Sequence, residues 1–88
     1  MLTKEKIEEI EKFDNEMWQR YKIEVWEYLD FLFDLRDSGT VNMFGAVPEL
    51  LKYDRDFADK LDKKLAKEIL LFWMKNFKEL QEYQKQYT

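Results

Sequence analysis

The sequence predicts an all-α protein in which a long N-terminal helix is followed by a short middle helix and by a third helix packed back on the first. Two observations support this fold class. The 88 residues include only two glycines and one proline, and all three fall between positions 39 and 48. Elsewhere, apolar residues recur at the spacing of amphipathic helices. A chain of this length supports a single core, so we expect one helical domain over residues 1–88.

The first helix is predicted over residues 4–37. Thr3 is a suitable N-cap, and no glycine or proline interrupts the Glu-, Lys- and Leu-rich sequence that follows it. Gly39 adopts the left-handed conformation readily, as the residue just beyond a helix end often must. It therefore marks the end of this helix.

The second and third helices are predicted over residues 46–58 and 63–84. Gly45 can be the N-cap of the second helix, and Pro48 then falls in the first turn, where no backbone donor is lost. A turn near residues 59–62 leads into the third helix, for which Asp62 or Asp59 can be the N-cap.

The apolar surface of these helices favours a homo-oligomer. Apolar residues between 25 and 35 spread over about 220° of the first helix, more than one packing partner covers. A continuous helix over 4–37 extends about 52 Å, whereas a compact globule of this size is roughly 30 Å across. We therefore expect a dimer or higher oligomer, with an antiparallel helix pair inside one chain as the alternative. The residues expected to mediate self-association are Trp26, Phe33, Leu71 and Met74.

The composition disfavours several classes of protein. The chain has no cysteine and no histidine, which removes disulfides, cysteine nucleophiles and Ser-His or Cys-His pairs. We expect no enzyme activity, no metal and no cofactor. A net charge of −4 disfavours nucleic-acid binding. The longest apolar run, residues 69–74, is too short for a membrane span, and the N-terminus does not resemble a signal peptide, so we expect a cytoplasmic protein.

Arg36 is the most distinctive charged residue. Its position on the first helix lies within the apolar sector, so its charge requires a carboxylate, a set of carbonyls or an anionic ligand. Asp37 or Asp54 can be an internal partner, and a structural role and a binding role both stay open.

The loop that follows adds further candidates. Thr40 and Asn42 can cap backbone groups, which is a purely structural role. Met43 and Phe44 are too apolar for an ordinary exposed loop, so they pack on the core or on a partner. The candidate residues for binding a ligand or partner are Arg36, Thr40, Asn42, Met43, Phe44, Trp26, Leu71 and Met74.

A set of short motifs extends over residues 28–77. It comprises Leu35-Arg36-Asp37-Ser38-Gly39, Asn42-Met43-Phe44-Gly45-Ala46, Pro48 with Leu50, Ala66, Ile69-Leu70 and Trp73-Met74. In these motifs the chain resembles a family of small uncharacterised proteins encoded by bacteriophages and prophages. The resemblance implies a phage protein in the cytoplasm of an infected bacterium, where such proteins often bind and disable host factors. It assigns no site residues.

Three functions are consistent with these features. The first is a non-enzymatic protein that blocks a host protein, such as an antiviral defence protein, through an apolar helical surface. The second is an oligomeric sponge that sequesters a nucleotide-type signal by stacking its base on Trp18, Trp26 or Trp73. The third is a helix-turn-helix regulator that presents lysines at the start of its third helix to DNA.

Overall fold

The computed structural model describes residues 2–39 and 45–87. This part of the chain forms four helices, α1 (Lys4–Tyr21), α2 (Val25–Ser38), α3 (Val47–Phe57) and α4 (Lys63–Tyr87). It contains no β-strand, so the all-α prediction is confirmed for the described residues. α4 packs on α2 and α3, and α1 contacts α2 and α4, in a body of 33 × 31 × 20 Å. Within the same two ranges, no helix is long and apolar enough to cross a membrane.

The prediction of one helix over residues 4–37 is wrong, because the chain breaks between α1 and α2. Lys22 adopts the left-handed conformation (φ 56°, ψ 39°) and ends α1. Its backbone N–H donates to the carbonyl of Trp18 at 2.9 Å. Ile23 and Val25, on either side of the α2 start, are then fully buried. Burying these two side chains outweighs the roughly 1 kcal/mol that a left-handed residue with a Cβ costs.

This break removes one premise of the oligomer prediction. A straight helix over residues 4–37 would be longer than the whole body, whereas α1 and α2 fit within it. The packing of α1, α3 and α4 on α2 also covers its wide apolar sector inside one chain. The buried residues of α2 are Val25, Tyr28, Leu29, Leu32 and Phe33. Phe33 is therefore not free to form an interface, and self-association stays a prediction.

The other helix ends agree with the prediction to within three residues. Gly39 is left-handed, with a φ of 69°. Ala46, rather than the glycine before it, is the N-cap of α3. The Asp62 carboxylate accepts a hydrogen bond from the backbone N–H of Leu65 at 2.8 Å, which caps the start of α4 as expected.

α4 supplies much of the core and bends near its middle. Trp73 lies edge to face against Phe33, with 5.4 Å between the ring centroids. Asn76 leaves helical geometry (φ −123°, ψ 17°), and its side-chain amide donates to the carbonyl of Phe72 at 3.0 Å. The Lys6 ammonium donates to the amide oxygen of Asn76 at 2.7 Å. This buried asparagine therefore joins α1 to the bend in α4.

Candidate functional site

The predicted binding residues do not form one site. Those that lie outside the described residues are Thr40, Asn42, Met43 and Phe44. Arg36 and Met74 line one depression, and Leu71 precedes Met74 by one turn of α4. Trp26 lies elsewhere, in a second depression formed with α1. The structure thus separates the remaining four candidates into two surfaces.

The first surface is a shallow depression between the end of α2 and the middle of α4, which we call the α2–α4 depression. Its volume is about 320 Å³. It is lined by Arg36, Trp73, Met74 and Phe77. Because three of these four side chains are mainly apolar, the depression fits an apolar group with an anion or a carbonyl beside it.

Arg36 is exposed, whereas the sequence placed it within the apolar sector of its helix. Its guanidinium lies over the ring of Phe77, 5.0 Å from the ring centroid. Water solvates the charge while the aromatic face attracts it, an interaction worth about 0.5–1 kcal/mol at exposed sites. In the described part of the chain, no ion pair joins Arg36 to Asp37 or Asp54, the two internal partners that the sequence allowed. Asp54 is buried in a different place, with other partners.

The α4 residues in and beside the α2–α4 depression differ in exposure. Leu71 is 54% exposed, and Met74 is half-buried. Trp73 is only 3% exposed and lies on the buried side of its helix. Its indole N–H is buried and finds no acceptor among the residues that the structure describes. Leu71, which lies beside the depression and does not line it, is thus more exposed to a partner than Trp73 or Met74.

The second surface is a larger depression between α1 and the start of α2, which we call the tryptophan cleft. Its volume is about 400 Å³. It is lined by Glu11, Asp14, Asn15, Trp18, Ile23, Glu24 and Trp26. Of these residues, the sequence indicated Trp26 as a binding residue and Trp18 as a stacking face for a base, but it did not place them in one cleft. The cleft was missed because it exists only where the break after α1 lets that helix pack against α2.

Aromatic stacking and carboxylates together define the chemistry of the tryptophan cleft. Trp26 stacks on Tyr83, with 5.5 Å between centroids and 14° between planes. The hydroxyl of Tyr83 donates to a carboxylate oxygen of Glu11 at 3.1 Å. Burial raises the pKa of Asp14, and the neighbouring charges of Glu24 and Glu11 raise it further. The cleft therefore combines indole faces with concentrated negative charge.

Asp54 is a buried polar residue that the sequence reasoning considered only as a partner of Arg36. Its carboxylate accepts hydrogen bonds from the hydroxyl of Tyr28 at 2.6 Å and from the backbone N–H groups of Lys60 at 3.0 Å and Leu61 at 2.7 Å. Burial and this hydrogen bond raise the pKa of Tyr28 above its usual value. Its position four residues after the buried Leu50 was the available signal. The role of Asp54 is to fix the turn before α4.

Comparisons with known proteins add no assignment to either surface. A scan of protein-family models found no match, and searches of curated proteins and of solved structures found none either. Across residues 2–39 and 45–87, no group of three or more acidic side chains is arranged to hold a metal ion. The resemblance to phage proteins stays a prediction.

Proposed function

We propose that this chain is a non-enzymatic binding protein of the phage type, which blocks a host protein through the apolar surface of α4. The observation that supports this proposal is the exposure of Leu71. Its side chain is 54% exposed and lies on the same face of α4 as Met74, which lines the α2–α4 depression. Exposed aliphatic area beside an apolar depression is typical of protein docking surfaces.

The chemistry of the depression suggests what the partner contributes. An apolar side chain of the partner fills the space between Met74 and Phe77, and a neighbouring carboxylate pairs with the exposed guanidinium of Arg36. Arginine is among the residues that contribute most to protein interfaces. A partner segment with an apolar residue next to an acidic one meets both requirements.

The two alternative functions have less support from the contacts. Base stacking requires an indole that a nucleotide can reach, and Trp73 is buried. Trp18 and Trp26 line a cleft whose carboxylates, those of Glu11, Asp14 and Glu24, repel the phosphate of a nucleotide. DNA binding depends on the exposed lysines at the start of α4, in a chain of net charge −4. The nucleotide sponge and the DNA-binding regulator therefore rank behind protein binding.

Site-specific crosslinking tests the proposal directly. A photoreactive benzoylphenylalanine at position 71, in bacteria that make the chain, should crosslink to one host protein upon irradiation. With that protein purified, Leu71→Asp should weaken binding at least tenfold, because it places a charge in a desolvated contact. The matched control is Tyr87→Asp, which alters a side chain of equal exposure, 54%, at the end of the same helix.

The measurement also separates the alternatives. A crosslink to a second copy of this chain would show that the surface mediates self-association and not host binding. Equal loss of binding in the two aspartate variants would show that the effect is electrostatic and not local. If neither kind of crosslink forms, the surface around Leu71 is not a docking site and the proposal is wrong. Circular dichroism melting of each variant confirms that folding is retained.

A further inference from the structure

The walls of the tryptophan cleft include an indole that already holds a cation. Trp18 is 42% exposed, unusually open for a tryptophan. The ammonium of Lys22 lies over its ring, 5.3 Å from the centroid. Lys22 is not among the residues that line the cleft. A side chain of the protein itself therefore demonstrates that this indole accepts an ammonium group next to the cleft.

Carboxylates surround the same space. Glu11, Asp14 and Glu24 line the cleft together with Trp18 and Trp26. A cation between these indoles and carboxylates is stabilised both by the ring quadrupole and by the negative charges. Both interactions become stronger where water is partly excluded. Burial raises the pKa of Asp14, and the neighbouring charges of Glu24 and Glu11 raise it further, as expected where carboxylates lie close together.

The arrangement distinguishes between classes of cation. The acidic side chains in the described ranges do not converge closely enough for three of them to hold one metal ion. A volume of about 400 Å³ is also far larger than a metal ion needs. An organic cation can contact a flat indole with its methylene or guanidinium surface while its charge reaches carboxylates on separate sides.

We propose that the tryptophan cleft binds an organic cation, an alkylammonium or guanidinium group, between the indoles and the carboxylates of Glu11, Asp14 and Glu24. The proposal is independent of host-protein binding through α4, because the α2–α4 depression shares no residue with the cleft. The ammonium of Lys22, next to the cleft, repels a cationic ligand.

Nuclear magnetic resonance provides a readout at each wall. The three tryptophans give three indole N–H signals, each assigned by a Trp→Phe variant. Titration with spermidine, and separately with acetyl-Gly-Arg-Gly-amide, should shift the signals of Trp18 and Trp26 but not that of the buried Trp73. The neutral peptide acetyl-Gly-Gln-Gly-amide and magnesium chloride at matched ionic strength should shift none of them. Saturation by spermidine alone would identify a free polyamine as the ligand, and saturation by the arginine peptide alone a basic polypeptide segment.

Two substitutions should act in opposite directions. Asp14→Asn removes one carboxylate of the cleft and should raise the dissociation constant about five- to tenfold. The matched control is Glu8→Gln, an equal change of charge at an exposed position of the same helix. Lys22→Asn removes the ammonium next to the cleft and introduces a residue type that tolerates positive φ, and should tighten binding severalfold. Its control is Lys64→Gln, at the exposed start of α4.

Other outcomes contradict the proposal. If magnesium chloride reproduces the shifts, the signals report ionic strength only. If Glu8→Gln weakens binding as much as Asp14→Asn, or Lys64→Gln tightens it as much as Lys22→Asn, net charge and not the cleft controls affinity. The absence of shifts at Trp18 and Trp26 with both cations would show that the cleft is not a cation site.

Discussion

The two turns that join α1 to α2 and α3 to α4 have similar backbone conformations but are stabilised by different interactions. Neither contains glycine or proline, and each places one other residue in the left-handed conformation, Lys22 (φ 56°) in the first and Asp59 (φ 54°) in the second. The first turn, the Lys22 turn, is fixed by the burial of Ile23. The second, the Asp54 turn, is fixed by one buried carboxylate with three hydrogen bonds.

This difference shows where the sequence tolerates change. Apolar burial is non-directional, so other aliphatic side chains can replace Ile23. A buried carboxylate that satisfies three donors has no substitute of the same geometry. The two turns are also linked, since the Lys60 ammonium donates to the carbonyl of Lys22 at 2.6 Å while its backbone N–H donates to Asp54.

The largest effect is expected from Asp54→Ala. The substitution leaves the buried hydroxyl of Tyr28 and two backbone donors without their acceptor, which lowers the free energy of unfolding by about 4 kcal/mol. Urea denaturation measures this loss. Asp56→Ala, at an exposed position of the same helix, is the control and should change stability by less than about 0.5 kcal/mol. A similar small loss for both variants would show that the carboxylate does not fix the turn.

Ile23→Ala tests the apolar turn and should lower the free energy of unfolding by about 3 kcal/mol, through lost burial and the cavity left behind. Ile23→Val should lose only about 1 kcal/mol, since it keeps the branched side chain. The ratio between these two losses, from the same denaturation series, is the informative quantity. Equal losses would mean that the turn requires isoleucine itself and is as specific as the Asp54 turn.

Tyr28→Phe removes one hydrogen bond of the Asp54 turn and should lower stability by about 1–2 kcal/mol at pH 7. The folded state raises the pKa of Tyr28, so the native form retains this proton when the unfolded form loses it. Stability should therefore fall as the pH rises above the unfolded value of 10.0. The variant should show a shallower fall in melts between pH 9 and pH 11. Tyr53 and Tyr83, whose pKa values burial also raises, maintain the rest of the slope.

The smallest effect is expected from glycine at the two left-handed positions. Lys22→Gly relieves the strain of a Cβ at positive φ and should raise stability by about 0.5 kcal/mol, after the greater entropy of the unfolded chain is counted. Asp59→Gly should gain less, because aspartate tolerates this conformation better than lysine. Thermal melts of the two variants side by side detect the difference. A larger gain in stability for Asp59→Gly would show that Asp59, and not Lys22, is the more strained residue.

The helices near strong local signals could be predicted from the sequence, and the break after α1 could not. Gly39 and Asp62 are standard helix-end residues, and both act as such. Lys22 is a good helix former, so nothing local marks the turn there. The turn exists because folding α1 against α2 and α4 buries Ile23 and its neighbours, a tertiary effect that overrides propensity.

The prediction of the binding surfaces assumed the same unbroken helix. A single long helix leaves its wide apolar sector to a second chain, which made Phe33 and Trp26 candidates for self-association. Once α1 ends at Tyr21, Phe33 packs on Trp73 and Trp26 stacks on Tyr83. Leu71 is exposed and Met74 is half-buried, and helical periodicity within α4 can indicate such positions without tertiary information.

The bond between Lys6 and the bend in α4 joins residues 70 positions apart, and the bond from Tyr83 to Glu11 joins residues 72 positions apart. α1 is synthesised before its packing partners beyond the bend in α4. During synthesis, α2 can cover part of the apolar face of α1, and the part that packs on α4 stays uncovered until the last turns of α4 have left the ribosome. Premature termination near Asn76 should release a chain with an open apolar face, the form most exposed to chaperones and proteases.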